Sequence, residues 1–347
     1  MKAVVLTGPR RMELVERPEP VLREPHDVLL RVESVGVCGS DVHYYLDGRI
    51  GSQVVRYPFM VGHECSATVL EVGSAVRRVR PGDRVAVEPA VSCGACDQCR
   101  AGRRHTCRRL RFLGCPGQME GCLCERLTMP EECCYALPPE LSFDQAALVE
   151  PLSIGLYAVR LAGMRRGRPF AVLGAGPIGL CVLIAARAAG AGPAYVTEPI
   201  PERRAAAMSL GAAWAGDPYA ADPVPTIEAR EPLLLDTVFE CSGKQEAMDE
   251  GVRLLAPGGR LMLIGIPAFD RASFEMDLLR RREIRLQNVR RQNECVADAI
   301  ALAAERADAL DRLRTHTFPL ARAPEAMEWV ANYRDGIIKA IIRVQDE

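Results

Sequence analysis

Along the first third of the chain, short apolar and β-branched runs are broken by turn residues. Val28 to Val35, Ala67 to Val72 and Arg84 to Val87 have the texture of strands, and Pro81-Gly82-Asp83 supplies a turn before the last of them. No helical period separates these runs, so the pattern predicts an antiparallel, partly barrel-like β domain. Met1 to Leu6 also has strand texture. It shows no basic segment, apolar stretch and small-residue cleavage site in succession, so no signal peptide is expected.

The pattern changes near residue 142. Ser142-Phe143-Asp144-Gln145 fits a capping box, and a helix is expected from Gln145 to Leu161, dented or interrupted at Pro151. Pro169 to Gly174 follows as a short buried strand, then a glycine-rich turn and an alanine-rich helix to about Gly190. Strand and helix signals then alternate: Ala194 to Thr197, Glu202 to Leu210, Leu234 to Glu240, Gln245 to Leu255 and Arg260 to Ile266. That alternation predicts a parallel, doubly wound α/β sheet. The pattern loosens around 285, and Gly336 to Val344 resembles a closing strand. The expected organisation is a β domain over 1–152, a nucleotide-type domain over 153–286, and a return to the β domain over 287–347.

Composition narrows the function classes. At roughly 150 residues per domain, 347 residues fit two domains. The charge balance, 44 − 45 = −1, supplies no bulk drive toward nucleic acid or anionic membrane. Lys2, Lys244 and Lys339 are the only lysines; every other basic residue is arginine. The uncharged stretch Pro169 to Ala186 is short for a membrane span and is broken by Gly174, Gly176, Pro177 and Gly179. No membrane partner is expected, and the cytoplasm is the default compartment.

Gly174-Ala175-Gly176-Pro177-Ile178-Gly179 follows a strand and opens a helix. Such glycines allow a tight turn, close approach of backbone to a pyrophosphate and close helix–strand packing, while the helix N-terminus offers unpaired N–H groups. Glu198 ends the next strand, where a carboxylate grips ribose hydroxyls and repels a 2′-phosphate. NAD is therefore expected over NADP. Arg203 and Arg204 lie near enough to temper that preference, and Arg203 is a candidate cofactor contact.

Cys93, Cys96, Cys99 and Cys107 place four thiols within 15 residues, enough for a closed tetrahedral zinc site. Arginines 100, 103, 104, 108, 109 and 111 interleave with them, but no stacking aromatic lies in the loop, so a solvated loop is favoured over a nucleic-acid module. A second set is dispersed: Cys38, His63, Glu64 and Glu150. Spacing alone leaves Cys38 equally a buried thiol and His63 equally a core histidine. The remaining cysteines (65, 115, 122, 124, 133, 134, 181, 241, 295) are expected to be buried free thiols.

Several motifs resemble the zinc-containing medium-chain dehydrogenases, most closely their sorbitol (polyol) branch. Val37-Cys38-Gly39-Ser40-Asp41-Val42-His43-Tyr44, continued by Gly48-Arg49-Ile50-Gly51, resembles the first-ligand motif. Gly62-His63-Glu64 with Gly73 and Val76 resembles the family's GHE signature, with Ala67 where glycine is usual. Glu150-Pro151-Leu152-Ser153 resembles the polyol dehydrogenase EPLS segment. Arg291 departs from the branch, which usually has tyrosine after the arginine matching Arg290.

The resemblance covers essentially the whole chain. It implies a GroES-like catalytic β domain plus a Rossmann domain, and two zincs per chain. Cys38, His63 and Glu64 would hold the catalytic zinc, with Glu150 as direct or water-linked fourth partner; Cys93, Cys96, Cys99 and Cys107 would hold the structural one. Ser40 and His43 would relay the alcohol proton, and Tyr44, Phe112 and Arg290 would line the substrate cleft. Cys241, Ile264, Gly265, Ile266, Val289 and Arg290 would join the glycine-rich turn in lining the NAD site. The implied reaction interconverts a polyol and a ketose in a homo-oligomer, a tetramer or dimer. Alternatives are a dehydrogenase of threonine or a cyclic polyol, or a catalytically silent NAD-binding protein.

Overall fold

The strand Asp27–Gly36 organises the first of two units in the computed structural model, which describes residues 1–345. This unit comprises Met1–Glu150 and the chain from Val296 onward. Alternate residues of the strand, Val28, Leu30 and Val32, point into the core, as the two-residue period of a half-buried strand requires. One edge pairs antiparallel with Glu64–Val72, which pairs with Arg84–Val87 and, beyond it, Cys134–Ala136. The other edge is shared. Residues 27 to 31 pair with Arg126–Pro130, while Ser34, Val35 and Gly36 oppose Arg343, Ile342 and Ile341 of Lys339–Arg343. The C-terminal segment thus does close the β unit's sheet.

One pairing departs from the antiparallel expectation. Arg314–Pro319 runs parallel to Lys339–Arg343, because the helix Ala323–Ala331 carries the chain back between them. The expected helix after residue 142 is also two helices, Phe143–Ala147 and Val149–Ala162, divided at Leu148. Pro151 sits in the first turn of the second, where its missing N–H costs no intrahelical bond. Ser142 caps the first helix through a reciprocal box with Gln145.

The second unit, Pro151–Cys295, holds a six-stranded, wholly parallel sheet. Its spatial order is Trp214–Gly216, Ala194–Thr197, Phe170–Leu173, Leu235–Glu240, Leu255–Leu263 and Arg285–Asn288. Phe170–Leu173 and Ala194–Thr197 are buried at every position, the mark of strands covered on both faces. The units divide at 150/151 and 295/296, against the expected 152/153 and 286/287. The second difference arises because Arg285–Asn288, where the apolar pattern fades, is the sheet's sixth strand; all four residues are exposed, so no burial pattern marks it. The architecture is the expected combination of a β unit and a doubly wound α/β unit. Among the described residues, no helix is long and apolar enough to cross a membrane.

Candidate active site

Strand pairing brings the dispersed candidate ligands together. Cys38 leaves the end of Asp27–Gly36 and stands at the N-cap of the helix Gly39–Asp47, while Glu64 opens the neighbouring strand directly opposite Gly36. The ligand atoms of Cys38, His63 and Glu64 lie within 4.8 Å of one another. Asp41, wholly buried in the first turn of that helix, ties them. Its carboxylate accepts the Cys38 N–H at 3.2 Å and the Gly62 N–H at 3.2 Å, and stands 3.3 Å from His63 Nδ1. His63 therefore turns Nδ1 to a carboxylate and keeps Nε2 for a metal, the usual outer-shell arrangement of a ligating histidine. Burial alone would push its pKa down, but Asp41 and Cys38 hold it well above the ordinary value.

Glu64 is almost entirely enclosed. Its Oε2 forms an ion pair with Lys339 Nζ, itself buried, and the ammonium also donates to the Val37 carbonyl at 2.9 Å. Gly36 lies beneath this pair, and a Cβ there would run into the Glu64 carboxylate. Glu150, in the first turn of its helix, is buried nearby, outside the three-residue cluster. Burial raises its pKa to about 8, with the charges of Glu64 and Glu88 adding to the rise and His63 opposing it. A thiol, an imidazole and carboxylates converging in a buried site fit a zinc ion with an open side.

The cysteine loop fits a closed site. Cys96 and Cys99 sulfurs are 3.5 Å apart, Cys96 and Cys107 3.9 Å, and Cys93 and Cys99 4.0 Å. Zinc–sulfur bonds of about 2.3 Å place tetrahedral sulfurs about 3.8 Å apart. Gly94 and Gly102 take positive φ, 67° and 71°, which lets the loop wrap on itself. The Ala95 N–H draws Cys93 down to about 6, while burial and the neighbouring thiols push Cys99 up to about 11. The interleaved Arg108 pairs with Asp97 on the surface, and all 14 cysteines are free thiols.

In the parallel unit, Gly174 turns at φ 98°, and a Cβ at Gly179 would collide with the Gly174 carbonyl. Gly176 caps the helix Pro177–Ala188, with Pro177 in its first turn and Ile178 following. Glu198, past the end of its strand, accepts the Ala175 N–H at 2.8 Å and the Ile200 N–H at 3.1 Å. Its carboxylate thus faces the glycine-rich turn. Arg204 is committed elsewhere, donating to the carbonyls of Glu198 and Pro199, while Arg203 is buried. Glu240 accepts from the Ser242 N–H, its hydroxyl and the Gly243 N–H, each at 2.7 Å, which fixes the turn carrying Cys241. Gly265 donates to the Glu240 carbonyl between Ile264 and Ile266.

Comparison with known proteins decides the lineage. Residues 24–139 match the alcohol dehydrogenase GroES-like domain and residues 177–305 the zinc-binding dehydrogenase family. The chain is 33% identical to a sorbitol dehydrogenase of Bacillus subtilis, over 99% of this chain and 97% of the relative. It is 38% identical to sorbitol dehydrogenase of Bos taurus, over 94% and 92%. The chain belongs to the zinc-containing medium-chain dehydrogenases, in the sorbitol dehydrogenase branch. A zinc-binding dehydrogenase of Sinorhizobium meliloti, solved with NADP, superimposes with a TM-score of 0.89 at 31% identity, covering 99% of each chain.

As a medium-chain dehydrogenase the chain uses zinc and a pyridine nucleotide in oxidoreduction. Around its metal cluster, Ser40 donates to Cys38 Sγ at 3.3 Å, and His43, half-exposed, stands 3.6 Å from Asp47. Phe112 packs its ring against His63 at 5.4 Å. Tyr44 is buried, its hydroxyl donating to Gln53 at 3.1 Å. In the parallel unit Val289 donates to the Leu263 carbonyl, Arg290 is exposed, and Arg291, the branch departure, takes a left-handed φ of 54°. Sequence reasoning missed Asp41, Glu88 and Lys339 as members of the site. A charge inside Ile337-Ile338-Lys339-Ala340-Ile341-Ile342, in a chain nearly without lysine, is the signal that could have found the last.

Proposed function

We propose that this dehydrogenase interconverts a secondary alcohol of a polyol and the corresponding ketose, passing the carbinol hydride to NAD. The convergence of Cys38, His63 and Glu64, with a glutamate at 150, carries the reading. Zinc held by these residues supplies Lewis acidity, which makes a substrate hydroxyl easier to deprotonate. Ser40 and His43, three residues apart on one helix, share a face. Ser40 would accept the alcohol proton, with His43 as the group that takes it onward toward solvent. Asp41 holds the imidazole of His63, Phe112 bounds it on one side, and Glu150 serves as direct or water-linked partner. Tyr44 contacts the polyol in this reading, Arg290 belongs with the nucleotide site, and a second zinc would sit among Cys93, Cys96, Cys99 and Cys107.

NAD is favoured over NADP because the Glu198 carboxylate beside the phosphate-binding turn repels a 2′-phosphate, and Arg204 is already bonded. Cys241, Ile264 to Ile266 and Val289 line the remainder of that site. Self-association into a dimer or tetramer is supported by the outer strand Arg285–Asn288, whose outer edge pairs with no strand among the described residues and which carries the exposed Leu286.

The test is NAD reduction with sorbitol, xylitol, galactitol, simple alcohols and threonine, with and without a zinc chelator. Chelator-sensitive activity confined to polyols is expected. Activity on threonine alone would reject the polyol assignment, and activity indifferent to the chelator would reject the metal mechanism.

A further inference from the structure

Lys339 is the least ordinary charge in the β unit. It sits in an otherwise apolar strand, is 1% exposed, and spends its ammonium on Glu64 Oε2 and the Val37 carbonyl. The chain uses arginine at nearly every basic position yet keeps lysine here. A compact ammonium fits between two acceptors above a bare Gly36, where a planar guanidinium needs more room. Its partner is one of the three clustered ligands. The ion pair therefore has a direct bearing on how that carboxylate meets a metal.

We propose that Lys339 is a positioning residue of the metal centre: by occupying Oε2 of Glu64 it leaves the other carboxylate oxygen as a single-point ligand and keeps the metal's open side available to substrate. The inference rests on the reading of Cys38, His63 and Glu64 as the zinc ligands. Two effects follow from the geometry. The ammonium withdraws charge from Glu64, so the carboxylate is a weaker donor and the metal a stronger Lewis acid. It also blocks a two-oxygen grip by Glu64, which would fill the position the substrate oxygen needs.

The variants K339M, K339R, E64Q and the double variant K339M/E64Q test this, each assayed for kcat, KM, zinc per chain and the rate of zinc loss to a chromophoric chelator. K339M should lower kcat by about 10- to 100-fold and alter the rate of zinc loss, with KM for the nucleotide unchanged. K339R should recover part of kcat. Because Lys339 acts through Glu64, the double variant should lose no more than E64Q alone. Wild-type kcat and zinc release in K339M, or losses that simply add in the double variant, would overturn the proposal. If K339M does not fold, the zinc-loaded wild-type crystal structure decides: Glu64 reaching the metal through one oxygen with Lys339 on the other supports it, and a two-oxygen grip sinks it. H63A separates the two layers of inference. If H63A keeps its zinc and activity, the metal reading falls and takes Lys339 with it; if H63A loses both and K339M is normal, only the role of Lys339 falls.

Discussion

Glu64 and Lys339 meet above Gly36, each carried by a strand that flanks Asp27–Gly36 on opposite sides. The missing side chain at Gly36 is what permits the contact, because a Cβ would occupy the space of the Glu64 carboxylate and crowd the Lys339 stem. Gly36→Ala should therefore displace Glu64, a metal ligand in the proposed reading, without touching the metal. The expected result is about 10- to 100-fold weaker zinc binding at this site, measured by chelator competition, with nucleotide binding intact. Unchanged zinc affinity would show that the strands can part at no cost.

The cysteine loop makes a separate forecast. Cys96→Ser removes one corner of the sulfur tetrahedron, so zinc content by atomic absorption should fall by one per chain. Loss of the cross-link should also lower the melting temperature, by about 2–4 °C for each kcal/mol lost in a unit of this size. A variant with full zinc content would mean that three thiols and a serine suffice.

Glu198 braces the glycine-rich turn and, in the proposed reading, also selects the nucleotide; one substitution separates the two. Glu198→Gln keeps an acceptor for the Ala175 N–H but removes the charge. The ratio of kcat/KM for NADP over NAD should rise about tenfold, equivalent to ~1.4 kcal/mol. An unchanged ratio would place the discrimination elsewhere, and a collapse of both activities would show the carboxylate to be mainly a brace for the turn.

Asp144 gives the β unit an acid-sensitive tie. It accepts from Ser34, Arg314 and Arg343, three strands of one sheet. Burial tends to raise its pKa, but these donors hold it below the ordinary carboxylate value. A depressed folded-state pKa contributes stability that is present above the unfolded value of about 3.9 and lost as pH falls through the folded value. Asp144→Asn should cost about 1–3 kcal/mol at neutral pH and flatten the decline of stability below pH ~4. Equal acid sensitivity in denaturant titrations of the two proteins would assign that decline to other groups.

Local spacing and non-local pairing explain what was legible beforehand. The four loop cysteines and the glycine-rich turn are contiguous, so their chemistry shows in the order of residues. Cys38, His63 and Glu64 converge only because Gly36 pairs with Glu64, a register no local pattern encodes; family resemblance supplied them. Asp41 lies inside the first-ligand motif, but spacing does not show that its carboxylate turns to Cys38 and His63. Lys339 looked like one position in an apolar strand. The edge strand Arg285–Asn288 escaped notice because exposed residues leave no periodic trace.

The closing strand has a bearing on timing. Cys38, His63 and Glu64 precede the parallel sheet along the chain, and that sheet is one contiguous stretch that can fold as it emerges. Lys339 and its strand follow that sheet along the chain and are made after it. Until then Glu64 lacks its counter-charge and Ser34 to Gly36 lack a neighbour on one edge. Assembly of the cluster around Glu64 thus waits on a segment made only after the whole parallel sheet.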